Sequence, residues 1–233
     1  LPGEEAPRET EAPRSVLERP VLERFVRGKV MAGQAALEAA GYSPGLLDGI
    51  EGPKTEIALR AFQLSRGFPV TGRLDETTSE ALALDREGGT GTYRITTDDE
   101  KLVSYCPADW NERSRRERLL YPTLANCIAE KLHTSERCLA WLNPSKDLAA
   151  LKAGDEVAVP IPLERQLARP VDSLEIDLER KLVLLIDASG NLVGLVHCSV
   201  ARDVASVPRG TCAVKTIVAD PGYTLRPCKS KLL

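Results

Sequence analysis

From Val30 to Ala40 apolar residues recur at helical spacing: Val30, Ala35, Leu37 and Ala40 share one stripe, and Gly41 stands where such a helix ends. SPG and LLDG then mark a compact loop. A second helix is predicted through Ile57, Leu59, Ala61 and Phe62, with Thr55 ahead of them as a cap and Gly67 closing it. TGRLD reads as a turn, and Asp75 as the N-cap of a short third helix carrying Ala81 and Leu82. After the Gly/Thr linker EGGTGT the pattern shortens. TYRIT predicts a strand, and Leu124, Ile128 and Leu132 at i, i+4 and i+8 predict a helix. SERCLAWLNP predicts another, with Ser135 as N-cap and Cys138 where a Glu would complete a capping box. LKAGDEVAVP supplies a turn at Gly154 and a strand through Val157 and Val159. Beyond Val171 the period becomes two. Leu174, Ile176 and Leu178 predict one strand, Leu182, Leu184 and Ile186 a second, and LVGLVHCSV a third beyond the ASGN turn. A fourth strand is expected through Val214 and Val218.

These changes of period divide the chain into a tether over 1–16, a helical domain over 17–88, a mixed module over 89–165 and a strand-rich segment over 166–233, an α+β multidomain chain. Composition agrees with small modules. Of the 233 residues 42% are hydrophobic but only 4% aromatic, so the cores must be aliphatic. The net charge of −3 is spread with both signs interspersed, which excludes a polyanion-binding stripe and hence nucleic acid as a partner. No apolar run is long enough to span a bilayer. The opening LPGEEAPRETEAPR has no apolar periodicity and reads as a mobile spacer trimmed after export. Cys106, Cys127, Cys138, Cys198, Cys212 and Cys228 include no C-x-x-C pair and fit no metal spacing, so neither metal nor cofactor is expected. Two readings of the cysteines stay open: disulfides of an oxidising compartment, with unspecified pairing, or small buried apolar residues.

Three stretches carry resemblances. GYSPGLLDGIEGPKTEIALRAFQ followed by GFPVTGRLDETT resembles the three-helix peptidoglycan-binding domain of wall hydrolases and transpeptidases, at Asp48, Gly49, Gly52, Thr55, Ala58, Phe62, Gln63, Gly67, Thr71, Gly72, Asp75 and Thr77. YRIT, IAEKLHTS, LNP and LKAGDEVAVP in that order resemble a LysM module of two strands beside two helices, which implies binding of N-acetylglucosamine-containing glycan. The charged insert VSYCPADWNERSRRERLLYP departs from that pattern where the glycan-contacting loop would begin. SLEIDLERKLVLLIDASGNLVGLVHCSV, with P-R-G and D-P-G-Y after it, resembles the opening of an L,D-transpeptidase catalytic domain. That resemblance implies a parent that cross-links peptidoglycan stem peptides through a cysteine acyl-enzyme, in the periplasm or cell envelope. The family's Ser-His-Gly-Cys motif is absent from these 233 residues. A half sheet of this kind is expected to be poorly stable alone or completed by a partner.

The expected partners are therefore peptidoglycan glycan strands or stem peptides. Tyr42, Asp48 and Gln63 are the candidates beside the first loop, although each also suits a structural role, with Asp48 bonding its own loop backbone. Gly49, Gly52 and Gly72 are expected to supply turn geometry. Trp110 and Trp141 could stack on sugar rings, or pack in a core. Arg113, Arg115, Arg116 and Arg118 read as a solvated face, and His133 as a helix-terminal residue favoured by the dipole. His197 and Cys198 are neighbours on one strand and so point to opposite faces, which prevents a dyad. No catalytic residue is assigned. The alternatives are a non-catalytic envelope binding or assembly protein and, less favoured, a cysteine enzyme using Cys198 or Cys212.

Overall fold

The computed structural model describes residues 18–84, 89–164, 166–201, 207 and 209–218, so the tether expected over 1–16 lies outside it. Helix α1 (Glu18–Ala39) buries Ala35 and Leu37 of the expected stripe, and Met31, Ala32 and Ala36 beside them. It stops at Gly41, whose φ of +94° lets the Tyr42 amide turn back to the Leu37 carbonyl at 2.9 Å. Helix α2 (Pro53–Arg66) starts before the expected cap. Gly52 is its N-cap, at φ −105°, and Pro53 occupies the first turn with a φ already suited to a helix. Thr55 is therefore inside the helix, buried, with its hydroxyl 3.2 Å from the Pro44 carbonyl. Gly67 ends α2 in the left-handed region. Asp75 caps α3 (Glu76–Ala81) by accepting from the Thr78 amide at 2.9 Å.

The middle of the chain pairs β1 (Thr90–Arg94) with β2 (Glu156–Pro160), antiparallel, with Tyr93 opposite Val157. Between them run α4 (Thr97–Lys101), α5 (Trp110–Ser114), α6 (Leu124–Lys131) and α7 (Glu136–Leu142). Two short helices thus interrupt the expected strand–helix–helix–strand frame, α4 just ahead of the charged insert and α5 within it. The first is fixed by a reciprocal cap between Thr96 and Asp99. Ile95, Leu124, Ile128, Leu139, Val157 and Val159 form the aliphatic core.

Strands β3 (Ser173–Asp177), β4 (Leu182–Ile186) and β5 (Leu192–His197) form an antiparallel sheet in that order. Its β4–β5 turn is organised by Asp187, whose Oδ1 accepts the Ser189 and Asn191 amides, both at 2.9 Å. The fourth strand expected through Val214 and Val218 is not formed. Residues 209–218 make no ladder and lie exposed, because no neighbouring strand satisfies their backbone groups.

The segments are packed together. The Ser43 amide donates to the Leu195 carbonyl at 2.7 Å and the Leu195 amide to the Gly41 carbonyl at 2.9 Å, so the α1–α2 loop extends the sheet along β5. Leu182 and Leu195 join Leu37, Tyr42, Ala58 and Phe62 in one core. On another side the Leu47 amide donates to the His133 carbonyl at 2.8 Å, and Thr134 Oγ1 donates to the Leu47 carbonyl at 2.7 Å.

Candidate binding site

Two buried glutamines shape the loops around α2. Gln34, on α1, accepts the Asp48 and Gly49 amides on Oε1, at 3.0 and 2.8 Å. Its Nε2 lies within hydrogen-bonding distance of the Ile50 carbonyl (3.1 Å) and Thr55 Oγ1 (3.2 Å). Gln63, on α2, does the same for the next loop. Its Oε1 accepts the Gly72 amide at 2.8 Å, and its Nε2 faces Thr71 Oγ1 (2.9 Å), the Arg73 carbonyl (3.0 Å) and Thr78 Oγ1 (2.9 Å). Each amide replaces water for loop backbone that burial would otherwise leave unpaired.

Between these loops lies a cleft of about 560 Å³, walled by Glu51, Gly52 and Pro53 on one side and Thr71, Gly72 and Arg73 on the other. Glu56 and Arg60 cross its floor as a half-exposed pair, Arg60 Nε 2.9 Å from Glu56 Oε1. Gly72 keeps the cleft open. At φ +71°, a Cβ there would approach Arg60 Nε to 2.8 Å and Glu56 Cγ to 3.0 Å. Asp75 stabilises the far wall, its carboxyl held below the usual range by hydrogen bonds from Thr78 and Thr71. The cleft offers two acids, two bases and backbone groups, a set able to pair with both a carboxylate and an amide or hydroxyl.

Residues 27–82 match the family model described as "Putative peptidoglycan binding domain". The matched domain spans roughly a quarter of the chain and contains both glutamines and the whole cleft. The match supports peptidoglycan binding, and with it association with the cell wall or envelope. No curated protein matches the chain. Among the described residues no helix is long and apolar enough to cross a membrane, and no group of acids, histidines and cysteines is placed to hold a metal ion.

None of the five residues singled out in the sequence lines this cleft. Tyr42 is buried edge-on against Phe62, with its hydroxyl 2.7 Å from Ser65 Oγ, and burial raises its pKa. Asp48 Oδ1 accepts the Ile50 amide at 3.0 Å, the loop bond its position implied. Gln63 is wholly inside and acts on the cleft through the loop it holds. Trp141, on α7, is half-buried and lies under the Arg27 guanidinium, 4.0 Å from its ring centre. Trp110, on α5, is 59% exposed, with Arg113 5.0 Å from its ring. Gln34, Glu56, Arg60 and Arg73 were not singled out. Gln34 lies on the apolar stripe of α1, and a polar residue amid buried Ala32, Ala35 and Leu37 was the available signal.

A second cleft, of about 630 Å³, opens where the matched domain meets α6 and α7, between Leu46, Tyr121, Pro122, Glu130 and His133. His133 spans that junction, its Nδ1 2.9 Å from Glu38 Oε2.

Cys127 and Cys138 are buried, and burial raises both thiol pKa values, as suits small packing residues. Cys106, Cys198 and Cys212 are also free among the described residues, and Cys228 lies outside them. His197 Nε2 is buried without a partner, so no thiol is held against that nitrogen.

Proposed function

We propose that the chain grips peptidoglycan through the cleft of the matched domain, the Glu56–Arg60 pair and Arg73 reading the polar groups of a glycan strand or stem peptide. The observation that carries this is the coincidence of the family match with a polar cleft whose two walls are each held by a buried glutamine. Asp48 and Gln63 contribute by fixing the loops that form those walls, and Tyr42 by packing against Phe62 beneath them. The paired β1 and β2 strands with α6 and α7 between them support a LysM-like second module, in which exposed Trp110 is the residue available to stack on a sugar. The β3–β5 sheet supports the finer reading of a parent in the L,D-transpeptidase family, whose acyl transfer this stretch does not itself perform. A purely binding or assembly role is the second reading, favoured by the burial of Cys127 and Cys138 and by the packing of the sheet against the matched domain.

Co-sedimentation of the 233-residue chain with purified sacculi tests the proposal. The chain is expected in the pellet, and Arg60→Ala is expected to weaken retention about tenfold, the scale of one charge-assisted hydrogen bond. Stem cross-links in the same pellets should be unchanged. Retention indifferent to Arg60→Ala removes the cleft, and new cross-links remove the non-catalytic reading.

A further inference from the structure

Two backbone edges in this chain are built for pairing and have no partner among the described residues. Strand β3 bonds only to β4, so its other edge offers unpaired amides and carbonyls. Its side chains make an unusual rim. Leu174 and Ile176 are 49% and 56% exposed on one face, while Ser173, Glu175 and Asp177 point to the other. The second edge is the segment Thr211–Val218, TCAVKTIV, in which Val214 and Ile217 are 68% and 89% exposed. It has the composition of a strand and none of the pairing.

The two edges complement one another in charge. The β3 rim carries Asp172, Glu175 and Asp177, and the segment carries Lys215, with Arg209 just before it. With Lys215 opposite Glu175 in an antiparallel register, Val214 falls beside Ile176 and Thr216 beside Leu174 on the opposite face. That register sets Lys215 against Glu175 and Val214 against Ile176, with Ile217 opposite Ser173, whereas a one-residue slip exchanges the faces. The other edge of the sheet is closed, because β5 is already bonded to Gly41 and Ser43. Among the described residues the open edge of the sheet is that of β3.

We propose that residues 211–218 of one copy add as a strand to the β3 edge of a second copy, and reciprocally, giving a twofold dimer with two four-stranded sheets. The exchange is isologous, so each acid–base pair occurs twice and the assembly closes at two chains.

Sedimentation equilibrium of the 233-residue chain, under reducing conditions because Cys212 is exposed, tests this directly. A monomer–dimer equilibrium is expected, with dimer dominant at high micromolar concentration. Glu175→Lys and Lys215→Glu each place like charges in both pairs, and each is expected to weaken the dimer about tenfold. The double exchange Glu175→Lys with Lys215→Glu should restore it. Both residues are exposed, and an unchanged circular dichroism spectrum checks that the variants are folded. A chain that stays monomeric throughout overturns the proposal, including one that pairs the segment within itself. So does a dimer indifferent to the single changes, or one the double exchange does not rescue.

Discussion

A single amide side chain can decide the shape of a loop. Gln63 satisfies the Gly72 amide on one atom and faces four acceptors with the other, on Thr71, Arg73, Asp75 and Thr78. Gln63→Leu nearly preserves size but strands those groups. About 2–4 kcal/mol of stability is expected to be lost, since unpaired buried polar groups cost about 1–3 kcal/mol each and part of the loop will relax. Urea unfolding monitored by circular dichroism reads this, and a loss below about 1 kcal/mol would mean that the loop holds itself. The motif residues pointed to this loop but not to its mechanism. Gln63 and Asp48 stand out because both match the domain's motif, yet Gln34 performs the same service from 14 residues away from Asp48. Local spacing cannot display a bond that only the folding of α1 onto the loop creates.

Between elements, the tie that joins β1, α4 and α6 is ionic. Lys131 Nζ lies 2.9 Å from Asp99 Oδ1 and 2.7 Å from Tyr93 Oη, and Tyr93 donates to Asp99 Oδ2 at 2.6 Å. Burial alone would raise the Asp99 pKa. Bonds from Tyr93, Thr96 and Lys131 outweigh it and hold the carboxyl far below its ordinary range, while Tyr93 and Asp99 raise the Lys131 pKa. A carboxylate with a depressed folded pKa contributes fully above its unfolded value, near 4, and loses that contribution as the pH falls further. Thermal stability is therefore expected to decline below about pH 4, and Asp99→Asn should flatten that decline while lowering stability at neutral pH. An Asn variant with the parent's acid profile would place the titration elsewhere.

The same elements show what periodicity can and cannot reveal. The stripe on α1, the Leu124–Ile128–Leu132 set and the alternation in β3, β4 and β5 are local patterns, and the structure forms an element at each, though β3 ends at Asp177 and leaves Leu178 outside it. Helix α4 was overlooked because five residues are too few for a stripe, though Thr96 and Asp99 had the spacing of a cap. The unformed strand at 214–218 has the opposite cause. Its β-branched composition is present, but a strand also requires a neighbour, and composition carries no information about one. Of the site, the two loops were legible from their glycines and Asp75, whereas the Glu56–Arg60 floor was not, since an i,i+4 ion pair usually marks a solvated helix face.

Across the whole molecule, the division into separate modules gives way to shared cores. Leu182 and Leu195 of the sheet lie in the core of the matched domain, and Met31 of α1 clusters with Cys138 and Leu142 of α7. One close approach is between two glycines. A Cβ at Gly194 would meet the Gly41 carbonyl at 2.8 Å and Leu185 Cδ1 at 2.7 Å. Gly194→Ala is therefore expected to cost about 1–3 kcal/mol, as overpacking does, and to loosen the sheet from the matched domain. Limited proteolysis should then cut between Pro170 and Cys198 before it cuts α2, and equal protection of the two would show that the glycine contact is not what holds them.

The hydrogen bonds between Gly41, Ser43 and Leu195 also have a mechanical meaning. A protein anchored to a mesh under tension must pass the load from its grip to the rest of its fold. Here the loop just ahead of the proposed binding cleft is itself stitched to β5, so a pull on the wall would reach the sheet as shear along a strand, not as the swing of a loose tether. The anchor and what it carries would move as one lever.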